Sequence, residues 1–137
     1  MEAKEDVEKG YHDDIIEAFM AILDKKLHEA RDMLIERYIY ICSQSPASAK
    51  FMYENNVIAG FDGKTIESAM KHGTLVIGQL GLAETLRILI GEDQTTEHGM
   101  ELAKRIEALY KQRCGEFKQQ HHLNFGVYYS PKFSWVA

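Results

Sequence analysis

The sequence predicts an α/β, mainly helical fold in which a long N-terminal helix precedes a strand–helix–helix–strand crossover with two parallel strands. Three observations carry this expectation. From about residue 13 to residue 41, apolar residues recur at intervals of three and four with charges between them, the pattern of one amphipathic helix. The run TLVIGQLGLAETLRILIG at 74–91 passes from apolar, β-branched composition to a helical pattern across two glycines three positions apart. The segment LNFGVYY at 123–129 is aromatic and β-branched, which suits a second strand.

The elements follow in order. Asp13 or Asp14 opens the first helix, whose apolar stripe includes Ile15, Phe19, Leu23, Leu27, Leu34, Tyr38 and Ile41. Its acidic start, Asp13, Asp14 and Glu17, suits the positive end of the helix dipole, and residues 43–48 with Pro46 stop it. Roughly 28 residues at 1.5 Å each span about 42 Å, whereas a globule of this length has a radius of gyration of only roughly 14 Å. An exposed stripe on such a helix therefore expects a helical partner or a larger body. Residues 51–73 read as irregular structure with a turn at Phe61-Asp62-Gly63, then a short helix from about Thr65 to Lys71 ended by His72 and Gly73.

Leu75 to Leu80 reads as a strand with little alternation of polarity, the pattern of a parallel strand covered on both faces. Leu82 to Ile90 is a helix closed by Gly91, and Thr95 or Thr96 caps another that runs to about Gln120, with Ala103, Ile106, Tyr110 and Phe117 on its inner face. Leu123 to Tyr129 completes the unit, which by default is a right-handed parallel crossover. Two parallel strands cannot cover both faces of one another, so the chain reads as part of a larger α/β body. Its end points the same way: either a partner covers Phe133 and Trp135 or the natural sequence continues.

Composition narrows the function classes. A chain of 137 residues with net charge −5 and no clustered lysines and arginines makes nucleic-acid binding an unfavoured reading. No stretch approaches the roughly 18 apolar residues of a membrane helix, and the acidic start MEAKEDVEKG is unlike a signal peptide, so a cytoplasmic protein without membrane contact is expected. Cys42 and Cys114 are too few and too isolated for a disulfide framework or a zinc site and are expected to be free thiols.

The Gly78-Gln79-Leu80-Gly81 turn is the first candidate for chemistry, because a strand, a glycine turn and a helix can hold a phosphate. A dinucleotide turn needs GxGxxG with a later acidic residue, and a P-loop needs GxxxxGK[ST]; this stretch has neither, so its glycines read as permitting a tight turn. Glu84 is the one carboxylate in the first turn of a helix directly after a strand, where α/β proteins keep their sites, and equally a charge well placed at a helix N-terminus. His121-His122 lack further ligands at metal spacing and read as imidazoles at a solvated helix end. Lys111 and Arg113 would lower the pKa of Cys114 if that thiol were exposed, but no base stands with it.

The residues GTLVIGQLGLAETLRILIGE (73–92) and MELAKRIEALYKQRCGEFKQQHHLNFGVYYSP (100–131) resemble the anaerobic (class III) ribonucleoside-triphosphate reductases, a glycyl radical family. In that family a strand ending in an IG-x-x-GLAE turn leads to a helix, then a second long helix, then a strand like LNFSLYATPAE. The earlier segment AFMAILDKKLHEARDMLIERYI (18–39) is similar to the family's long helix. The resemblance covers nearly the whole chain in order. It implies that residues 1–137 are a single segment of a ten-stranded α/β barrel, with the long helix in 1–45 and the βααβ unit in 74–131.

In the family a cysteine thiyl radical abstracts the ribose 3′-hydrogen, a glycyl radical stores the unpaired electron, and formate commonly supplies the reducing equivalents. Neither Cys42 nor Cys114 matches the radical cysteine, and the glycyl-radical motif RVxGY, the zinc cysteines and the regulatory cone have no counterpart. The chain is therefore expected to be a truncated or internal piece, inactive alone, with no catalytic residue, metal or cofactor of its own. Its family turn, Gly78, Gly81, Leu82, Ala83 and Glu84, is expected to be structural. Ser130 and Pro131 match the family's S/T-P-A-E turn at the substrate phosphates, but Lys132 and Phe133 replace its last two residues. The partners implied are a second copy or a larger reductase, with a nucleoside triphosphate as the family's substrate; the alternative is a helical interaction module without catalysis.

Overall fold

The computed structural model describes residues 1–129 of the chain. A short acidic helix, α1 (Glu2–Glu8), packs along the long helix α2 (Ile15–Cys42). Of the two aspartates at its start, Asp14 is the cap: its carboxylate accepts from the Ile16 N–H at 2.9 Å, supplying one of the partners that the first helical turn lacks. Only Ala18 and Leu27 of α2 are buried, while Met33, Ile39 and Tyr40 are 62–70% exposed. The helix thus carries the uncovered apolar stripe that its length implies.

The segment after α2 is more helical than its composition predicts. Ser45 accepts from the Ala47 N–H at 3.2 Å and starts a 3-10 turn, Pro46–Ala49, which runs into α3 (Lys50–Glu54). A five-residue helix has no independent stability, and packing holds this one. Tyr53 is buried with Ile66 and Ala69 and meets Phe61 at 4.8 Å with the rings tilted by 54°. The expected turn at 61–63 is built by Asp62, whose Oδ1 accepts from the N–H groups of Lys64 (2.8 Å) and Thr65 (2.9 Å), and α4 (Ile66–Met70) follows.

Two parallel strands, β1 (Thr74–Gln79) and β2 (Asn124–Tyr129), pair from Thr74↔Asn124 to Gln79↔Tyr129. Between them lie α5 (Leu82–Ile90) and α6 (Glu97–His121). Gly91, at φ +73°, closes α5 in the left-handed conformation that glycine adopts without penalty. Thr96, not Thr95, caps α6 by accepting from the Gly99 N–H at 3.0 Å. His121 is the last residue of α6 and His122 its left-handed cap.

The core forms where α2, α5 and α6 close on one face of the sheet, around Leu27, Ile77, Leu86, Ile106 and Phe117. Here one expectation is corrected. Strand β1 is not covered on both faces: Ile77 and Gln79 are buried, whereas Thr74, Val76 and Gly78 on the other side are exposed, Val76 by 46%. The helices that cover the sheet all lie on one side, and among the described residues no further strand flanks either edge. Nor, among these residues, is any helix long and apolar enough to cross a membrane.

Candidate functional site

Parallel α/β sheets gather ligands beyond the C-terminal ends of their strands. Here those ends are Gln79 and Tyr129, opposite one another in the register, and the chain turns from β1 into α5 beside them. Gly81 makes the turn. It sits at φ +74° as the N-cap of α5, a backbone conformation costly for residues with a Cβ, and its carbonyl accepts from the Thr85 N–H at 2.9 Å. Gly78 plays no such part: it pairs with Tyr128 inside β1, has no positive φ, and has open space where a Cβ would stand. The turn expected at both glycines is therefore carried by Gly81.

Behind the turn, Ala83 is buried and Leu82 packs against the core. The Glu84 carboxylate bends back toward the turn, with Oε2 3.8 Å from the point a Cβ on Gly81 would occupy. Gly81, Leu82, Ala83 and Glu84 are thus together at the strand end, while Ser130 and Pro131 lie outside the described residues, as do Phe133 and Trp135.

A polar group that sequence reasoning passed over sits at the same end. Gln79 is buried and its Oε1 has no hydrogen-bond partner; both carboxylate oxygens of Glu107 on α6 are likewise buried and unpartnered among the described residues. Such groups are uncommon in native interiors because each forgoes its hydration without replacement. The Tyr129 phenol stands within hydrogen-bonding reach of Glu107, and that carboxylate first, then burial, push it up to about 12. Burial, followed by the charges of Glu107 and Cys114, also raises Tyr110. One sequence signal could have found Glu107: it falls four residues after Ala103 and three before Tyr110, on the inner stripe of α6, where a carboxylate is out of place.

Glu107 lines a groove of about 580 Å³ between the start of α5 and α6, together with Leu82, Met100, Ala103 and Tyr129 and with the cations Lys104 and Lys111. Chemically this end of the molecule combines the buried acceptors of Gln79 and Glu107 with the ammonium groups of Lys104 and Lys111.

The cysteines are kept from chemistry by their surroundings. Cys114 is buried and burial pushes its thiol up, so the expected influence of Lys111 and Arg113 is overridden. Arg113 is occupied elsewhere: its Nε and Nη2 donate to Asp24 Oδ1 (2.6 Å) and Oδ2 (2.8 Å), and Nη1 donates to Glu116 Oε2 at 2.6 Å. His28 joins the group, with Nδ1 2.8 Å from the Asp24 carbonyl oxygen and its ring edge-on to Phe117 at 5.3 Å. Arg31 lies over the same Phe117 ring at 5.0 Å. This constellation ties α2 to α6 and has no nucleophile among its members. Among the described residues, no three His, Cys, Asp or Glu side chains are placed to hold a metal ion.

The fold and its strand ends define a segment of parallel α/β architecture, mainly helical, with the turn-and-helix geometry that such proteins use at their sites. The family model for anaerobic ribonucleoside-triphosphate reductase matches residues 6–134, and the chain belongs to that family. No curated protein matches the chain in sequence.

Proposed function

We propose that this chain is a structural segment of the reductase barrel, residues 1–137 acting as one unit, and that it does not reduce ribonucleotides by itself. The observation that carries the reading is the uncovered sheet: among the described residues two parallel strands pair only with each other and leave the Val76 face exposed, which suits a sheet completed by further barrel strands. The cysteines support it. Hydrogen abstraction by a thiyl radical needs a thiol presented to substrate, whereas Cys114 is buried and Cys42 is the half-buried last residue of α2. The glycyl radical and the reducing chemistry of the family belong, in this reading, to chain elements other than these residues, and the setting is cytoplasmic.

Gly81 to Glu84 then serve as a packing turn, and Ser130 and Pro131 are the family's substrate-phosphate turn carried into this chain. Assaying the purified chain for ribonucleoside-triphosphate reduction, with formate and an activating radical enzyme, tests the reading; turnover would sink it. A second reading, a helical module that dimerises or docks on a larger reductase, is favoured by the apolar groove between α2 and the free edge of β1, lined by Met33, Leu34, Tyr40 and Val76. Burial of apolar surface there stabilises an assembly by about 25 cal/mol per Å². Sedimentation showing a monomer at every concentration, with or without the larger reductase, removes it.

A further inference from the structure

Helix α2 pairs its charges within the chain, with one exception. From Glu17 with Arg105 at 2.6 Å to Arg31 with Asp32 at 2.8 Å, every other Asp, Glu, Lys and Arg along it has an ion-pair partner. Glu36 and Arg37 have none among the described residues, although both are exposed and both line the apolar groove beside β1. Met33 precedes them by a turn and Tyr40 follows, 70% and 64% exposed. Positions 33, 36, 37 and 40 stand three and four apart, so they share one face of the helix.

Read backwards, this face is its own complement. When two copies of α2 lie antiparallel with a two-fold axis between positions 36 and 37, Glu36 meets the partner's Arg37 and Arg37 meets the partner's Glu36. Met33 at the same time meets the partner's Tyr40, a favourable sulfur–aromatic contact, and the reverse holds at the other end. A closed two-fold interface needs such a self-complementary patch. We propose that a second copy of this chain occupies the groove, α2 against α2 in antiparallel orientation, with two reciprocal Glu36–Arg37 ion pairs at the centre. The partner helix lies over the wall that Met33, Tyr40 and Val76 form. One helix pair covers less than the roughly 1,200 Å² of a stable standard interface, so the association is weak and rises with concentration. The proposal rests on the docking reading above and names its partner.

Sedimentation equilibrium of the whole chain from about 1 μM to about 1 mM tests it. The unaltered chain is expected to pass from monomer to dimer within that range. Glu36→Arg and Arg37→Glu each set like charges against one another twice, and each should weaken the dimer about tenfold or more. Both positions are exposed, so the far-UV circular dichroism spectrum should stay unchanged. Mixing the two variant chains puts two arginines opposite two glutamates and should restore the dimer. A chain that stays monomeric to about 1 mM overturns the proposal, and binding of that monomer to the larger reductase leaves the docking reading standing. A dimer that either variant leaves intact, or that the mixture does not restore, overturns it as well.

Discussion

Replacing Arg113 with methionine removes the clamp between α2 and α6 while keeping the aliphatic length of the side chain. Arg113 meets Asp24 through two parallel bonds of 2.6 and 2.8 Å, a fork that an ammonium group cannot reproduce. The side chains are 23% and 32% exposed. The pair therefore stands between exposed ion pairs, worth about 0–1 kcal/mol, and charged hydrogen bonds shielded from water, worth about 1.5–3 kcal/mol each. Discounting two bonds for partial screening gives a loss of about 2 kcal/mol for Arg113→Met and about half of that for Arg113→Lys. The effect also carries a pH signature. The Arg113 hydrogen bond, as the largest influence, holds the Asp24 carboxyl below its ordinary range. A group with a depressed folded-state pKa stabilises the fold above its unfolded value and loses that contribution as pH falls through the folded value. Glu116, held down first by the same guanidinium, acts with the same sign. Urea titrations at neutral pH should show the gap between the native and Arg113→Met chains, and titrations below about pH 4 should show it narrowing. Equal midpoints at neutral pH, or a gap that persists undiminished into acid, would refute the reasoning.

Leu86 is fully buried, and Leu86→Ala should lower stability by about 2–5 kcal/mol through lost burial and the cavity left behind, measured by urea unfolding. Thr96→Ala removes the cap of α6 and should cost about 1 kcal/mol by the same assay. At Gly99 an added Cβ would overlap the Asp93 carbonyl oxygen and stand 2.7 Å from its carbon and 2.9 Å from Thr96 Oγ1. Gly99→Ala should therefore destabilise by about 1–3 kcal/mol despite alanine's better helix propensity, and a raised midpoint would contradict the packing. Under native conditions an aromatic disulfide reagent should label Cys42 well before Cys114, because the buried thiol with its raised pKa is both shielded and protonated; equal rates would show that Cys114 is accessible.

The parts of the fold that were legible are those whose sequence pattern is itself a burial pattern. Ala103, Ile106, Tyr110 and Phe117 were read as the inner face of one helix and all four are buried. The two strands, the turn into α5 and the stop at Gly91 were equally visible, since glycine and β-branched residues act on the backbone locally. What escaped depends on contacts that no spacing rule encodes. Helix α3 exists because Tyr53 meets Phe61, Ile66 and Ala69, and α1 because it lies along α2. Asp24 and Arg113 are 89 positions apart, so their pairing, and with it the failure of Arg113 to act on Cys114, could not be read from neighbours in the chain. The strand-end acceptors Gln79 and Glu107 were hidden for another reason: a polar residue inside an apolar pattern reads as noise until its burial is seen.

The register of the sheet has a kinetic consequence. Every pair, from Thr74 with Asn124 to Gln79 with Tyr129, joins residues a constant 50 positions apart. Closing a chain loop of that size costs about 3.5 kcal/mol of entropy beyond a fixed constant, before any ladder bond repays it. Helices such as α5 and α6 form from near neighbours and carry no such toll. The order of assembly that follows has the helices docked first and the two strands zipped together last. In hydrogen exchange the amides of β1 and β2 should accordingly be released by openings that leave α6 protected, so that the sheet is where the molecule comes apart first.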